Sequence, residues 1–239
     1  MTSENRINVD PSSRGVYKVG GISLFVAGVI PFLLLLLVII LQQTIPVPAL
    51  EILEAPSAPT AWFLLAALGE LLLMPGGLGL YLSLKDVKKT HMLIATSLWV
   101  LATPMFLASR GLIIALSQIS ARYLGTTNET MKAAYLASAE LAIETQSIFS
   151  YMALILLSVA SIIIGSVMLK GVYGRVTGIL AMAAGILTLF TPFEVIIEVP
   201  FLILFAGIIL GAAWQIAAGA KLYRLGREAF GTVPAMASD

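Results

Sequence analysis

The 239-residue chain is 59% hydrophobic and only 11% charged, against roughly 25% charged residues in ordinary soluble domains. A soluble core cannot hide that much apolar surface, whereas a lipid bilayer can. The net charge of +1 gives no reason to expect a nucleic-acid partner. The absence of cysteine excludes disulfides, iron–sulfur clusters and thiolate zinc sites, and the single histidine, His91, excludes a multi-histidine metal site. We therefore expect no cofactor.

The apolar segments predict an all-α protein, a polytopic bundle of six transmembrane helices. A helix needs about 20 apolar residues to cross the hydrocarbon core. The first apolar run is too long for a signal peptide and is expected to be an uncleaved span. The fifth is the shortest. The predicted spans are Val19–Leu41, Ala61–Leu82, Met92–Leu116, Ile148–Leu169, Val176–Phe190 and Val199–Ala220.

The basic residues outside the spans predict that both termini are cytoplasmic. Eleven of the 14 Lys and Arg fall on one side of the predicted topology, whereas Arg122 and Lys132 fall on the other. The positive-inside rule assigns the first side to the cytoplasm. The predicted parts are a cytoplasmic tail at 1–18, a transmembrane domain at 19–227 and a second cytoplasmic tail at 228–239. The expected surroundings of the spans are the lipid bilayer.

Two connections on the predicted outer side carry local signals. Residues 42–60 contain four prolines, so we expect this segment to be extended or sharply turned. Asn128 is a candidate helix N-cap, with Glu129 in the first turn after it. A helix from there to Ser147 either precedes the fourth span or extends it above the membrane.

Small residues predict where helices approach each other closely. Gly178 and Gly185 share one side of the fifth span, and Gly207 and Gly211 form a Gly-x-x-x-Gly pair in the sixth. Small residues at these spacings let helix backbones come together in a membrane. We interpret them as packing contacts within the chain and not as a dimer interface.

Two ionisable residues lie within the predicted spans. Glu70 is close to the middle of the second span, and Arg110 lies towards the outer end of the third. Ionisable groups at membrane depth are costly and commonly functional. Because adjacent spans pack side by side, we expect these two residues to be coupled.

The pair has two interpretations. The functional one is an outward-facing polar pocket that binds a small ligand or relays a proton. The other is a buried structural ion pair, with the remaining carboxylates at the interface in contact with water. The residues of the predicted pocket are Glu70, Arg110, Glu144, Gln146, Tyr151 and Glu198.

The residues at membrane depth disfavour catalysis. The predicted spans contain neither Asp nor Lys, which excludes a paired-aspartate protease and a retinal Schiff base. His91 falls among basic residues at the predicted cytoplasmic edge, where it cannot serve a Ser–His dyad within the membrane. An enzyme acting on lipid or isoprenoid substrates stays open.

Short motifs carry a family resemblance. They are Gly69-Glu-Leu-Leu-Leu and Gly79-Leu-Tyr-Leu in the second span, and residues 165–180 across the fourth-to-fifth junction. From about Gly20 to Arg227 the chain resembles the prokaryotic six-span membrane family catalogued as domain of unknown function 4386. In that family an acidic residue often stands near the position of Glu70. A Gly-Tyr-Leu-Pro-Arg turn is common at the junction, where this chain has Gly174 in place of proline.

The resemblance implies the topology and a place in the plasma membrane of a prokaryote, but no activity or catalytic residue. Two functions therefore stay open. The first is a membrane protein that binds a small molecule or an ion between its helices. The alternative is a non-catalytic structural or accessory subunit of a larger complex, whose partners are other membrane subunits.

Overall fold

A computed structural model describes residues 13–40, 48–54 and 57–228 of the chain. Within these ranges, six helices are long and apolar enough to cross a membrane. The prediction of an all-α bundle with six spans is confirmed. The cytoplasmic location of the termini stays a prediction, and most of the two predicted tails lies outside the described residues.

Five of the six spanning helices are longer than the apolar runs that predicted them, and the fifth, with 14 residues, is slightly shorter than its predicted run. The first begins at Arg14, within the predicted cytoplasmic tail, and the last ends at Glu228. The spanning helices are α1 (Arg14–Ile40), α3 (Ser57–Leu84), α4 (Lys89–Leu124), α5 (Glu129–Met168), α6 (Arg175–Thr188) and α7 (Phe201–Glu228), with a short α2 (Ala49–Glu54) after α1 and a 3-10 turn (Thr191–Val195) after α6.

The six spanning helices form a closed ring. Each packs against the next in the order α1, α3, α4, α5, α6, α7, and α7 packs in turn against α1. The outer surface of the ring is apolar, as α3 shows by exposing Leu64, Leu68, Leu71 and Leu78. This surface is suited to lipid, because the hydrocarbon core of a bilayer is an apolar solvent. The chain is therefore a multi-pass helical membrane protein.

Glycines allow the closest contacts between neighbouring helices. A Cβ atom added at Gly185 would lie 2.7 Å from the Ser158 carbonyl oxygen, and one at Gly178 would lie 2.8 Å from that of Gly165. The predicted packing of Gly178 and Gly185 within the chain is confirmed. The same device joins α1 to α7, where a Cβ at Gly21 would lie 2.5 Å from the Tyr223 backbone nitrogen.

One half of the ring has a packed core. It is the half that contains the N-terminal end of α1 and the C-terminal end of α7. Trp99 and Trp214 meet edge to face, with ring centroids 5.8 Å apart. The Trp99 indole donates a hydrogen bond to the Leu73 carbonyl at 2.9 Å. Tyr173, in the turn between α5 and α6, lies 2.7 Å from the Ser83 hydroxyl. Burial raises the pKa of Tyr173, so its phenol stays neutral.

Helices α4 and α5 extend beyond the membrane on the opposite side. Their 36 and 40 residues span about 54 and 60 Å, whereas the hydrocarbon core is about 30 Å thick. The C-terminal end of α4 and the N-terminal end of α5 form a hairpin around residues 125–128. We call it the outer hairpin, after the side on which the predicted topology places it. Because α5 runs unbroken from Glu129, the helical stretch after Asn128 extends the fourth span. The Asn128 cap is confirmed, since its side chain accepts from the backbone nitrogens of Thr130 and Met131.

The short helix α2 packs on the outer hairpin. Ile52 and Leu53 are buried there with Leu116 and Ala139, and the Ser120 hydroxyl donates to the Leu53 carbonyl. The expectation of an extended or sharply turned segment was wrong for 57–60, which begin α3, and for 49–54. The six residues of 49–54, Ala-Leu-Glu-Ile-Leu-Glu, are good helix formers with apolar side chains to bury. Residues 42–47 and 55–56 lie outside the described residues.

Candidate functional site: an ion pair on the wall of a central cavity

Glu70 and Arg110 form a direct ion pair between α3 and α4. The Arg110 Nη2 and Nε atoms lie 2.6 and 3.0 Å from Glu70 Oε1. The side chains are largely buried, with 12% of Glu70 and 19% of Arg110 exposed. The guanidinium carbon also lies 5.6 Å from the centre of the Phe63 ring, within the range of a cation–π contact. The expected contact between these two residues is therefore present.

The directions of α3 and α4 explain how the two side chains meet. From the turn that joins the helices, Glu70 lies about 21 Å along α3 and Arg110 about 32 Å along α4. Side chains tilt towards the N-terminus of their own helix. Helix α3 runs towards the turn and α4 away from it. The Glu70 side chain therefore leans towards the outer hairpin. The Arg110 side chain leans the opposite way, towards the turn, so the two side chains approach each other.

Glu70 and Arg110 each have a polar group that forms no hydrogen bond within the ion pair. Both Arg110 bonds end on Glu70 Oε1, so the Arg110 Nη1 group lies outside the pair. Glu70 Oε2 is buried and has no hydrogen-bond partner among the described residues. A buried acceptor without a partner carries a desolvation cost of about 1–3 kcal/mol, and more when it is charged. Each partner thus retains a group able to bond to something else.

A cavity of about 290 Å³ lies beside the ion pair, at the centre of the ring. Every one of the six spanning helices contributes to its wall. The packed core closes the cavity on one side, where the Trp99 indole donates a hydrogen bond to the carbonyl of the lining residue Leu73. The polar side chains of the wall are Glu70, Arg110, Thr188 and Gln215. The other lining residues are Ala27, Ile30, Pro31, Leu34, Ala66, Gly69, Leu73, Phe106, Leu154, Leu157, Gly207, Ile208, Gly211 and Ala212.

The two glycines of the sixth predicted span have different roles. A Cβ added at Gly207 would lie 3.3 Å from the Thr188 hydroxyl, so Gly207 packs against α6 as expected. At Gly211 an added Cβ would meet nothing within 4 Å. The prediction of a close helix contact was wrong at Gly211, because this residue faces the open cavity.

The other four predicted pocket residues lie outside the cavity wall. Gln146 donates to the hydroxyls of Ser109 and Ser150, each at 2.9 Å, so it joins α4 to α5 next to Arg110. Glu144 and Glu198 are exposed and Tyr151 is half-buried. The predicted polar pocket is thus a mainly apolar cavity with one ion pair.

Sequence reasoning missed Thr188, Gln215 and the apolar lining. A polar amide within the apolar run of α7 was a usable signal for Gln215, because such groups seek partners inside a bundle. The apolar lining gave no signal, since a cavity-facing Leu and a lipid-facing Leu look alike in sequence. Within the described ranges, no group of three His, Cys, Asp or Glu side chains is placed to hold a metal ion.

Comparisons with protein-family models, curated proteins and solved structures found no match to this chain. The resemblance to domain of unknown function 4386 stays a prediction. What the fold and the site define is a class: a multi-pass helical membrane protein whose six spans line a partly open cavity beside a buried ion pair.

Proposed function

We propose that this protein binds a small, mainly apolar molecule in the cavity lined by its six spans. The observation that carries the proposal is the wall itself, to which all six spans contribute, five of them with apolar side chains and α6 with Thr188, around one buried ion pair. Ligand sites in proteins are typically concave and mainly apolar, with a few polar groups that fix the orientation of the ligand. Glu70 and Arg110 would be those groups.

The cost of the ion pair also supports a binding role. Replacing a buried ion pair by apolar residues of similar volume is often neutral or stabilising. Ionisable residues inside a membrane commonly serve a function. A pair that held the fold alone would need no open space beside it and no free acceptor on Glu70.

The fifth span has the shortest α-helix, which suggests how a ligand enters. The 14 residues of α6 span about 21 Å, and this span reaches the roughly 30 Å of the hydrocarbon core only with the residues that follow α6, up to Glu194. The segment after α6 exposes apolar side chains, with Ile196 at 78% and Phe201 at 72%, beside the exposed carboxylates of Glu194 and Glu198. Thr188 at the end of α6 lines the cavity. We infer that the ligand enters from the membrane, above the end of α6.

Filling the cavity tests this function. In Gly211→Leu the new Cβ would meet nothing within 4 Å, and the side chain would occupy the open space of the cavity. Gly111→Leu is the matched control, because Gly111 lies one residue from Arg110, is exposed and also has nothing within 4 Å. Each variant and the wild type would be purified from the membrane, and the extracted small molecules identified by mass spectrometry.

The proposal predicts a compound that is retained by the wild type and Gly111→Leu and is reduced at least tenfold in Gly211→Leu. The same extract from all three proteins would contradict it, because lipid bound at the outer surface does not depend on the cavity.

The outer hairpin supports a second candidate, an accessory subunit of a membrane complex. Leu124 and Leu141 are 58% and 65% exposed on the part of the hairpin that extends beyond the spans. A Leu141→Lys change would release a stably associated subunit in this case, while leaving the contents of the cavity unaltered. We also propose, from the basic residues, that the termini face the cytoplasm, and from the family resemblance that the membrane is the plasma membrane of a prokaryote.

A further inference from the structure

The charge of the cavity wall restricts the ligand. Glu70 and Arg110 together carry no net charge, and they are the charged residues of the wall among the described part of the chain. Thr188 and Gln215 add hydrogen-bonding groups but no charge. A charged ligand would therefore leave an uncompensated charge away from water, which is far more costly than burying a neutral polar group. The wall favours a neutral ligand.

The free groups of the pair restrict the ligand further. Arg110 Nη1 can donate, and Glu70 Oε2 can accept. The terminal torsion of a glutamate is soft, and it turns both carboxylate oxygens together. Oε2 therefore reaches the cavity as the contacts between Oε1 and Arg110 rearrange. A hydroxyl both donates and accepts. A carbonyl would serve Arg110 alone, and a hydrocarbon would serve neither.

The volume of the cavity limits the size of the ligand. At about 30 Å³ for each water-sized group, a cavity of about 290 Å³ holds roughly ten non-hydrogen atoms. We propose that the ligand is a neutral amphiphile of about this size, an alcohol whose hydroxyl bonds to both Arg110 and Glu70 and whose hydrocarbon chain fills the apolar part of the cavity. This inference rests on the proposed function, because it names the chemical class of the molecule bound at that site.

Thiol protection tests the class directly. The chain has no cysteine, so Gly211→Cys introduces a single thiol that faces the cavity, and Gly111→Cys introduces a matched thiol on the outer surface. Each protein, reconstituted in lipid nanodiscs, would be treated with N-ethylmaleimide, a small neutral reagent. The alkylation rate would be measured by mass spectrometry in the presence of 1-decanol, decane, decanoate or decylammonium.

We expect 1-decanol to protect the Gly211→Cys thiol at a concentration about fivefold lower than decane, the effect of a typical net hydrogen bond. Decanoate and decylammonium should need at least tenfold more than 1-decanol. The Gly111→Cys thiol should react at the same rate throughout. Adding Glu70→Leu and Arg110→Met together should abolish the advantage of 1-decanol over decane while leaving protection by decane in place.

The failures of the two proposals are distinguishable. If no compound protects the Gly211→Cys thiol, or if this thiol does not react at all, the cavity is not a binding site and the proposed function is overturned. If compounds protect it but decane or a charged amphiphile does so as well as 1-decanol, binding stands and the alcohol class is wrong.

Discussion

Breaking the Glu70–Arg110 pair should destabilise the bundle. Both Arg110 donors converge on one carboxylate oxygen at 2.6 and 3.0 Å, and the side chains are only 12% and 19% exposed. Removing one partner of a buried pair leaves an unpaired charge and costs about 3–5 kcal/mol. We expect the loss of stability in Glu70→Gln and in Arg110→Gln to lie near the lower limit of this range, because Glu70 Oε2 already has no hydrogen-bond partner among the described residues.

The double variant shows whether the two residues act as a pair. When both charges are removed together, no unpaired charge remains. The double loss should then be smaller than the sum of the single losses by about 2 kcal/mol, within the range seen for residues in direct contact. Unfolding would be followed in detergent for the wild type, both single variants and the double variant. Glu144→Gln is the control, since Glu144 is exposed on α5 and its replacement should change stability little. Strictly additive losses at Glu70 and Arg110 would refute the pairing.

Three further predictions concern the fold. An impermeant thiol reagent applied to intact cells should label Thr127→Cys and spare Lys88→Cys, and labelling of the latter would reverse the proposed orientation. Gly21→Ala should destabilise the protein by more than about 1 kcal/mol, because the new Cβ would lie 2.5 Å from a backbone atom of α7. In the same unfolding assay the control Gly111→Ala should be neutral or stabilising. Equal effects of the two changes on stability would exclude the close contact between α1 and α7. Asn128→Ala should cost about 1 kcal/mol in that assay through loss of the cap of α5, and no change would show that the cap is unimportant.

The spans were predictable from sequence because the bilayer imposes a length of about 20 apolar residues on every crossing. The same logic singled out Glu70 and Arg110, whose side chains are unusual at that depth. The Asn128 cap was predictable for a different reason, since capping depends on residues within one turn of each other.

The cavity was not predictable because it depends on contacts between residues distant in the chain. Gly211 matched the pattern of a packing glycine, yet the closure of the ring leaves it facing open space. Glu144 and Glu198 had the right chemistry for a polar pocket, but both are exposed outside it. Helix α2 was obscured by the prolines on either side of it.

The central claim is that the space between the spans holds a small molecule. The most direct test is a high-resolution electron cryomicroscopy map of the protein purified from its own membrane in lipid nanodiscs. The account predicts non-protein density of roughly ten atoms beside Arg110 and Gly211, with one end in hydrogen-bond contact with the ion pair. A cavity closed by the side chains of α1 and α7, or one filled by water alone, would contradict it.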